Sequence, residues 1–214
     1  DYDYVFLLNQ DAGVEPDAIR KLTEIMNDRP DIGICSPVHM YSDEIMDRAF
    51  SSYLAGRRVG KFRVKEQDCV EVTFVNAAIW LLRTEALDKV GYFNPIFDHY
   101  GEDSNYAQRL IHTGYKIIIA TGVKGFHYRS QNQNGRELKS AGEVFYIENL
   151  MHLLNPQKKL LPTYTKSLWV GGKKSVKSIL SGNFYEAYRI TLAYFKLTWM
   201  FNDIRSTKYS RCQE

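Results

Sequence analysis

The chain has 214 residues, enough for one domain with a real core or one domain with a helical appendage, and a formal net charge of +3. Apolar residues make up 44% and aromatics 14%, which is ordinary to high for a globular chain, and no apolar run approaches the length of a membrane span. Cys35, Cys69 and Cys212 lie far apart with no Cys-x-x-Cys pair, which argues against a zinc site or disulfide framework and for a reducing compartment.

The modest net charge hides an asymmetry. Residues 1–155 hold 17 Lys/Arg against 22 Asp/Glu, a balance of −5, whereas residues 156–214 hold 11 against 3, a balance of +8. Such a split predicts two regions with different partners. No signal peptide is visible. The first residues already read as a strand with no methionine before them, so the sequence is expected to be an excised piece of a longer chain.

Residues 4–8 are a short apolar run ending in the polar loop Asn9-Gln10-Asp11-Ala12-Gly13. Pro16 can open a helix, and Ile19, Leu22, Ile25 and Met26 form one stripe that Arg29-Pro30-Asp31 ends. Ile32 to Val38 reads as a buried strand closed at Pro37. Residues 40–69 are charged and irregular, which predicts a long surface loop or insertion. Alternating Val70, Val72 and Phe74 begin a strand, and the run to Leu82 continues as buried strand or loop. Thr84 is a candidate N-cap, with Gly91 closing the helix after it. The aromatic segment from Tyr92 to Tyr100 is a loop, and a helix follows from about Asp103 to Thr113, with Gly114 at its end. Lys116 to Ala120 is a short strand, and Gly122 and Gly125 frame a turn before Phe126-His127-Tyr128. From 141 onward the pattern is helical, giving domains of 1–140 and 141–214.

Three sets of residues carry chemistry. Asp11 follows a strand, where a carboxylate of an α/β sheet points into the ligand crevice. A hard cation bridging a diphosphate needs only one or two protein carboxylates, because phosphate oxygens and water complete its shell. The plainer reading is an Asx turn. Glu102 and Asp103 open a helix, where acidic residues are favoured by the backbone dipole alone. The functional reading is a general base that takes a proton from an attacking sugar hydroxyl. Neighbours on a helix do not share a face, so this pair does not suit a glycosidase, which needs two facing carboxyls. His127 follows a strand. It is either a satisfied structural histidine or, if it lies near Asp11, part of a site suited to Mn²⁺ better than Mg²⁺.

Together and in this order, these residues resemble the family 2 glycosyltransferases, in their rhamnosyltransferase-like branch. The likeness rests on Leu7-Leu8-Asn9-Gln10-Asp11-Ala12-Gly13-Val14, Phe74-Val75-Asn76-Ala77-Ala78, Val90-Gly91-Tyr92-Phe93-Asn94, Tyr100-Gly101-Glu102-Asp103 with Arg109 and Gly114, and Gly125-Phe126-His127. It covers roughly residues 1–130. It implies an α/β class: part of a GT-A fold, its metal- and acceptor-side C-terminal half, followed by a helical extension. It also implies an inverting transfer from a nucleotide-diphospho-sugar to a sugar hydroxyl in bacterial polysaccharide synthesis. By this resemblance Asp103 is the catalytic base and Glu102 its acceptor-binding neighbour, while Asn76, Ala77 and Ala78 form the acceptor loop. Asn9, Gln10 and Asp11 hold the donor, and Asp11 with His127 holds a divalent cation, Mn²⁺ or Mg²⁺. Asn9 stands where the family carries the first Asp of its Asp-x-Asp motif and supplies no charge. No counterpart of the family's nucleotide-base-binding half is present, so residues 1–214 alone are expected to bind donor poorly, and the strand at 4–8 to leave an edge or face that another copy could cover in a homodimer.

The basic region 156–214 is either an appendage with a solvated lysine face or a membrane-surface contact. Its lysines 158, 159, 166, 173, 174 and 177 interleave with Leu160, Leu161, Trp169, Val170, Ile179 and Leu180. The acidic front half opposes nucleic-acid binding. The expected acceptor is a glycan or lipid-linked sugar. The expected location is cytoplasmic, with peripheral attachment at the inner face of the membrane. The rival reading is a non-catalytic carbohydrate-binding or scaffolding remnant of the same fold.

Overall fold

The computed structural model describes residues 2–98, 100–128 and 140–208; Cys212 lies outside them. The chain forms two compact units. One takes the residues up to Tyr92 and those from Tyr106 to the end of the sheet; the other takes Phe93–Asn105 and the helices from Ser140 onward.

The first unit is built on β1 (Tyr4–Leu8), β2 (Ala12–Val14), α1 (Ala18–Asp28), β3 (Ile32–Met40), α2 (Arg48–Gly56), β4 (Arg58–Val64), β5 (Gln67–Val72), β6 (Ile79–Arg83), α3 (Thr84–Val90), the part of α4 (Glu102–His112) from Tyr106 onward, and β7 (Lys116–His127). Its seven strands make one mixed sheet in the order β1-β6-β3-β7-β5-β4, with β2 added alongside β7. β3 and β7 run parallel, and every other pairing is antiparallel. All nine residues of β3 are buried, as a strand covered on both faces requires. Helix α1 lays Ala18, Leu22, Ile25 and Met26 on Ile32, Cys35, Leu81 and Ile118. Ile19, expected in that stripe, is 46% exposed, and Ala18 takes its place one residue earlier.

Several expected boundaries move. The expected loop at 40–69 is ordered: it contains α2 and a hairpin of β4 and β5 that turns at Lys65 with φ 51°. Its strand β4 carries Arg58, Lys61 and Arg63 on the edge of the sheet, where charge is what keeps an edge from pairing further. Pro37 does not close β3. It sits inside the strand at a register shift, where a proline needs no ladder donor. The glycines expected to frame a turn, Gly122 and Gly125, lie inside β7, which runs on to His127 because β3 and β2 flank it there. A Cβ at Gly125 would sit 2.5 Å from Ile79 Cδ1 and 2.8 Å from Pro37 Cγ, so close approach selects this glycine. Thr84 is the first residue of α3 rather than its cap, and Gly91 ends that helix at φ 80° as expected.

The second unit holds α5 (Ala141–Leu154), α6 (Leu160–Leu180), α7 (Phe184–Trp199) and α8 (Phe201–Thr207). Ser140 and Glu143 form a reciprocal capping box at the start of α5. Phe145, Leu150, Leu153, Ile190, Leu197 and Ile204 fill its core. Glycines let the helices close: a Cβ at Gly142 would lie 2.5 Å from the Arg189 carbonyl oxygen, and one at Gly171 2.7 Å from the Phe145 ring. The α/β class with a helical extension after it in sequence is thus the architecture observed.

Candidate functional site

The short strand β2 builds the first part of the site. It pairs antiparallel with the end of β7 in the register Ala12 to His127, Gly13 to Phe126 and Val14 to Gly125. The Tyr128 amide then donates to the Asp11 carbonyl at 2.8 Å. This ladder sets Asp11 beside His127, and Asp11 Oδ1 lies 3.4 Å from His127 Nε2. The imidazole is buried at 2% exposure, while the carboxylate is 47% exposed. One partner is therefore fixed by packing and the other faces solvent.

The chain around Asp11 is pinned at both ends. The Asn9 amide donates to the Ala78 carbonyl at 2.9 Å, and the Ala12 amide donates to the Asn9 carbonyl at 3.0 Å. The Asn9-Gln10-Asp11 turn, whose three residues are exposed, is thereby tied to the Asn76-Ala77-Ala78 segment. Asn76 is buried and its Oδ1 accepts no hydrogen bond. A buried unused acceptor is costly and marks a place where a ligand hydroxyl could be satisfied.

Glu102 and Asp103 form the first turn of α4, and belong to the second unit. Tyr100 (φ 67°) and Gly101 (φ 99°) both adopt left-handed backbone just before them. For tyrosine this is uncommon, and such backbone clusters at functional sites. A Cβ at Gly101 would meet Phe97 at 3.0 Å and Ile147 at 3.2 Å, so the entry to the helix is closely packed. The Ser104 amide donates to Asp103 Oδ1 at 2.6 Å, and Glu102 Oε2 is buried without a hydrogen bond.

Two supporting residues escaped the sequence reading as site elements. His39 is fully buried, its Nε2 is 3.1 Å from Ser36 Oγ, and its ring stacks on Phe50 and meets the His127 ring edge-on at 6.2 Å. The signal for it was a histidine inside a mostly apolar strand. Arg109, known from the sequence only as part of the likeness, donates to the Val90 and Tyr92 carbonyls and so fixes the loop after α3.

A cation would have a carboxylate oxygen and an imidazole nitrogen to bind. Their 3.4 Å separation is near the roughly 3 Å between adjacent ligands of an octahedral ion at about 2.1 Å. Among the described residues, no group of three or more His, Cys, Asp or Glu side chains converges as a ligand set. A carboxylate beside an imidazole is a ligand pair that suits Mn²⁺ better than Mg²⁺.

The family described as Glycosyl transferase family group 2 matches residues 4–159, which include all of these positions. The chain belongs to this family. Among solved structures, this glycosyltransferase-family chain is similar to GalNAc-T7 with UDP, GalNAc and Mn²⁺, at 13% identity and a TM-score of 0.49, over 75% of this chain and 35% of that one. It is also similar to the mannosyltransferase PcManGT from Pyrobaculum calidifontis in complex with GDP-Man and Mn²⁺, at 17% identity and a TM-score of 0.45. That match covers 92% of this chain, and the chain spans 62% of the mannosyltransferase. No curated protein matches the sequence.

Proposed function

We propose that the protein is an inverting glycosyltransferase that moves a sugar from a nucleotide-diphospho-sugar to a sugar hydroxyl in bacterial polysaccharide synthesis. The observation that carries this reading is the Asp11–His127 pair, built by the β2–β7 ladder within the segment that matches the family. The mixed sheet is read as the metal- and acceptor-side part of a GT-A fold. The likeness to rhamnosyltransferases makes rhamnosyl the first donor sugar to test.

In this reading Asp11 and His127 hold a divalent cation, which when bound would neutralise charge on the diphosphate leaving group. Asn9 and Gln10 contact the donor through their amides. Glu102 and Asn76 accept hydrogen bonds from the acceptor sugar, and Ala77 and Ala78 leave room for it. Asp103 accepts the proton of the attacking hydroxyl. The new bond forms between that oxygen and the anomeric carbon as the carbon–oxygen bond to the diphosphate breaks, and its electron pair leaves on the phosphate oxygen.

The test is transfer from a panel of nucleotide sugars by the intact protein and by Asp103→Asn. The proposal expects turnover in the wild type and its loss in the variant, with folding retained. A protein that binds glycan and transfers nothing from any donor would be the non-catalytic remnant instead.

A further inference from the structure

Helix α6 buries Ser167, Gly171 and Ser178 along one side. At 100° per residue the opposite side carries Leu161, Trp169, Val176, Ile179 and Leu180, which are all exposed, Leu180 at 83%. Lys166, Lys173 and Lys177 follow the flank of that apolar face, and the helix contains no acidic residue. Lys173 Nζ lies 3.5 Å from the centre of the Trp169 ring.

Helix α7 repeats the arrangement. It buries Ala187, Ile190, Ala193 and Leu197. Phe184, Tyr188, Leu192, Phe195 and Trp199, spaced four, four, three and four residues apart, form its outward stripe, with Phe184 at 69% and Trp199 at 85% exposure. The charged residues of α7 lie off this stripe: Arg189 contacts Ser140 and Glu143, and Lys196 contacts Asp98 and Tyr146. A surface helix normally turns polar residues outward, so the pattern here is inverted. The turn at Ser181–Asn183 joins the exposed ends of both helices, bringing Ile179, Leu180, Phe184 and Tyr185 to one tip.

We propose that the outward faces of α6 and α7 dock on an anionic lipid bilayer surface. Three features select this occupant. The lysines beside the apolar face complement negative headgroups. The large exposed side chains are dominated by Trp, Tyr and Phe, and Trp and Tyr favour the membrane interface. Neither helix is long and apolar enough to cross a membrane, so the faces lie on the surface and do not span it. The inference stands independently of the proposed transfer chemistry.

The test is co-sedimentation of the intact protein with vesicles of phosphatidylcholine alone and of phosphatidylcholine with phosphatidylglycerol. Binding is expected only where phosphatidylglycerol is present, and it should weaken with salt. Each of Lys166→Gln, Lys173→Gln and Lys177→Gln should weaken partitioning by about fivefold, and the triple variant by about a hundredfold. Phe184→Ser with Trp199→Ser should abolish it while leaving the melting temperature unchanged, because both side chains are exposed. Tryptophan fluorescence in the lysine variants, to which exposed Trp169 and Trp199 both contribute, provides a second readout, shifting to the blue on vesicles only where binding survives. No binding to phosphatidylglycerol vesicles, binding indifferent to both sets of substitutions, or a dimer dissolved by the aromatic substitutions would overturn the proposal.

Discussion

The sheet unit and the helical unit use apolar residues in opposite ways. In the sheet unit the period is consumed: Leu22, Ile25 and Met26 of α1 and the whole of β3 point inward, and the exposed groups at the candidate site are polar. In the helical unit α7 has an apolar side facing the core and a larger aromatic side facing out. An amphipathic pattern therefore says only that a helix has a preferred side. Which side is buried is decided by the neighbours, here by the close approach that Gly142 and Gly171 permit.

The sharpest break between polar chemistry and packing is Asp103→Asn. It should lower transfer by about 10²- to 10⁴-fold with little change in melting temperature, measured as turnover beside calorimetry. Within the helical unit, Phe145→Ala should cost about 3–5 kcal/mol, because the ring is buried in the core. Trp199→Ala, although as large a truncation, should stay within about 0.5 kcal/mol in chemical denaturation. Equal costs would mean that the outward stripe is a second core. In the sheet unit, Gly125→Ala should destabilise by about 1–3 kcal/mol, since Ile79 and Pro37 already occupy the space of its Cβ. Because Gly125 pairs with Val14, the same change should also weaken cation binding at Asp11 and His127.

The smallest effects concern pH. In the sheet unit, the hydrogen bond from Arg29 and a second from Lys116 hold the Asp31 carboxyl at about 2. A carboxyl lowered by folding contributes stability above its ordinary range and loses it as pH falls toward its folded value. Asp31 is partly exposed, so the loss between about pH 4 and pH 2 should be about 1 kcal/mol, and Asp31→Asn should flatten it. In the helical unit, burial, with a smaller push from Lys158, holds the Lys208 ammonium at about 8. There the unfolded chain binds more protons between about pH 8 and pH 10, so this group's contribution should rise with pH across that window. Comparing wild type with Lys208→Met in denaturant at both ends of the window isolates that slope.

The sequence made these two regions legible to different depths. The α1 stripe and the end of α4 followed from period and turn chemistry, and Gly91 and Gly114 adopt the positive φ expected of helix-ending glycines. The β4–β5 hairpin did not, because an edge strand carrying Arg58, Lys61 and Arg63 reads as a charged loop until its partner is known. Strand β2 did not either: Ala12-Gly13-Val14 has no periodicity of its own and is a strand only because β7 runs past it. The same ladder brings Asp11 and His127 together across more than a hundred residues of sequence, which the resemblance suggested and no local spacing could. His39 was hidden because a histidine in an apolar strand carries no sign of the ring it will face.

The proposed cation site at Asp11 and His127 is tested most directly by a calorimetric titration of a nucleoside diphosphate into the intact protein, with and without Mn²⁺, for wild type and for Asp11→Ala. Mn²⁺ should strengthen binding to the wild type, and Asp11→Ala should lose this gain without a matching loss of thermal stability, with His127→Ala showing a milder form of the same defect. Binding that ignores Mn²⁺, or that survives Asp11→Ala with its Mn²⁺ dependence intact, would contradict the cation site.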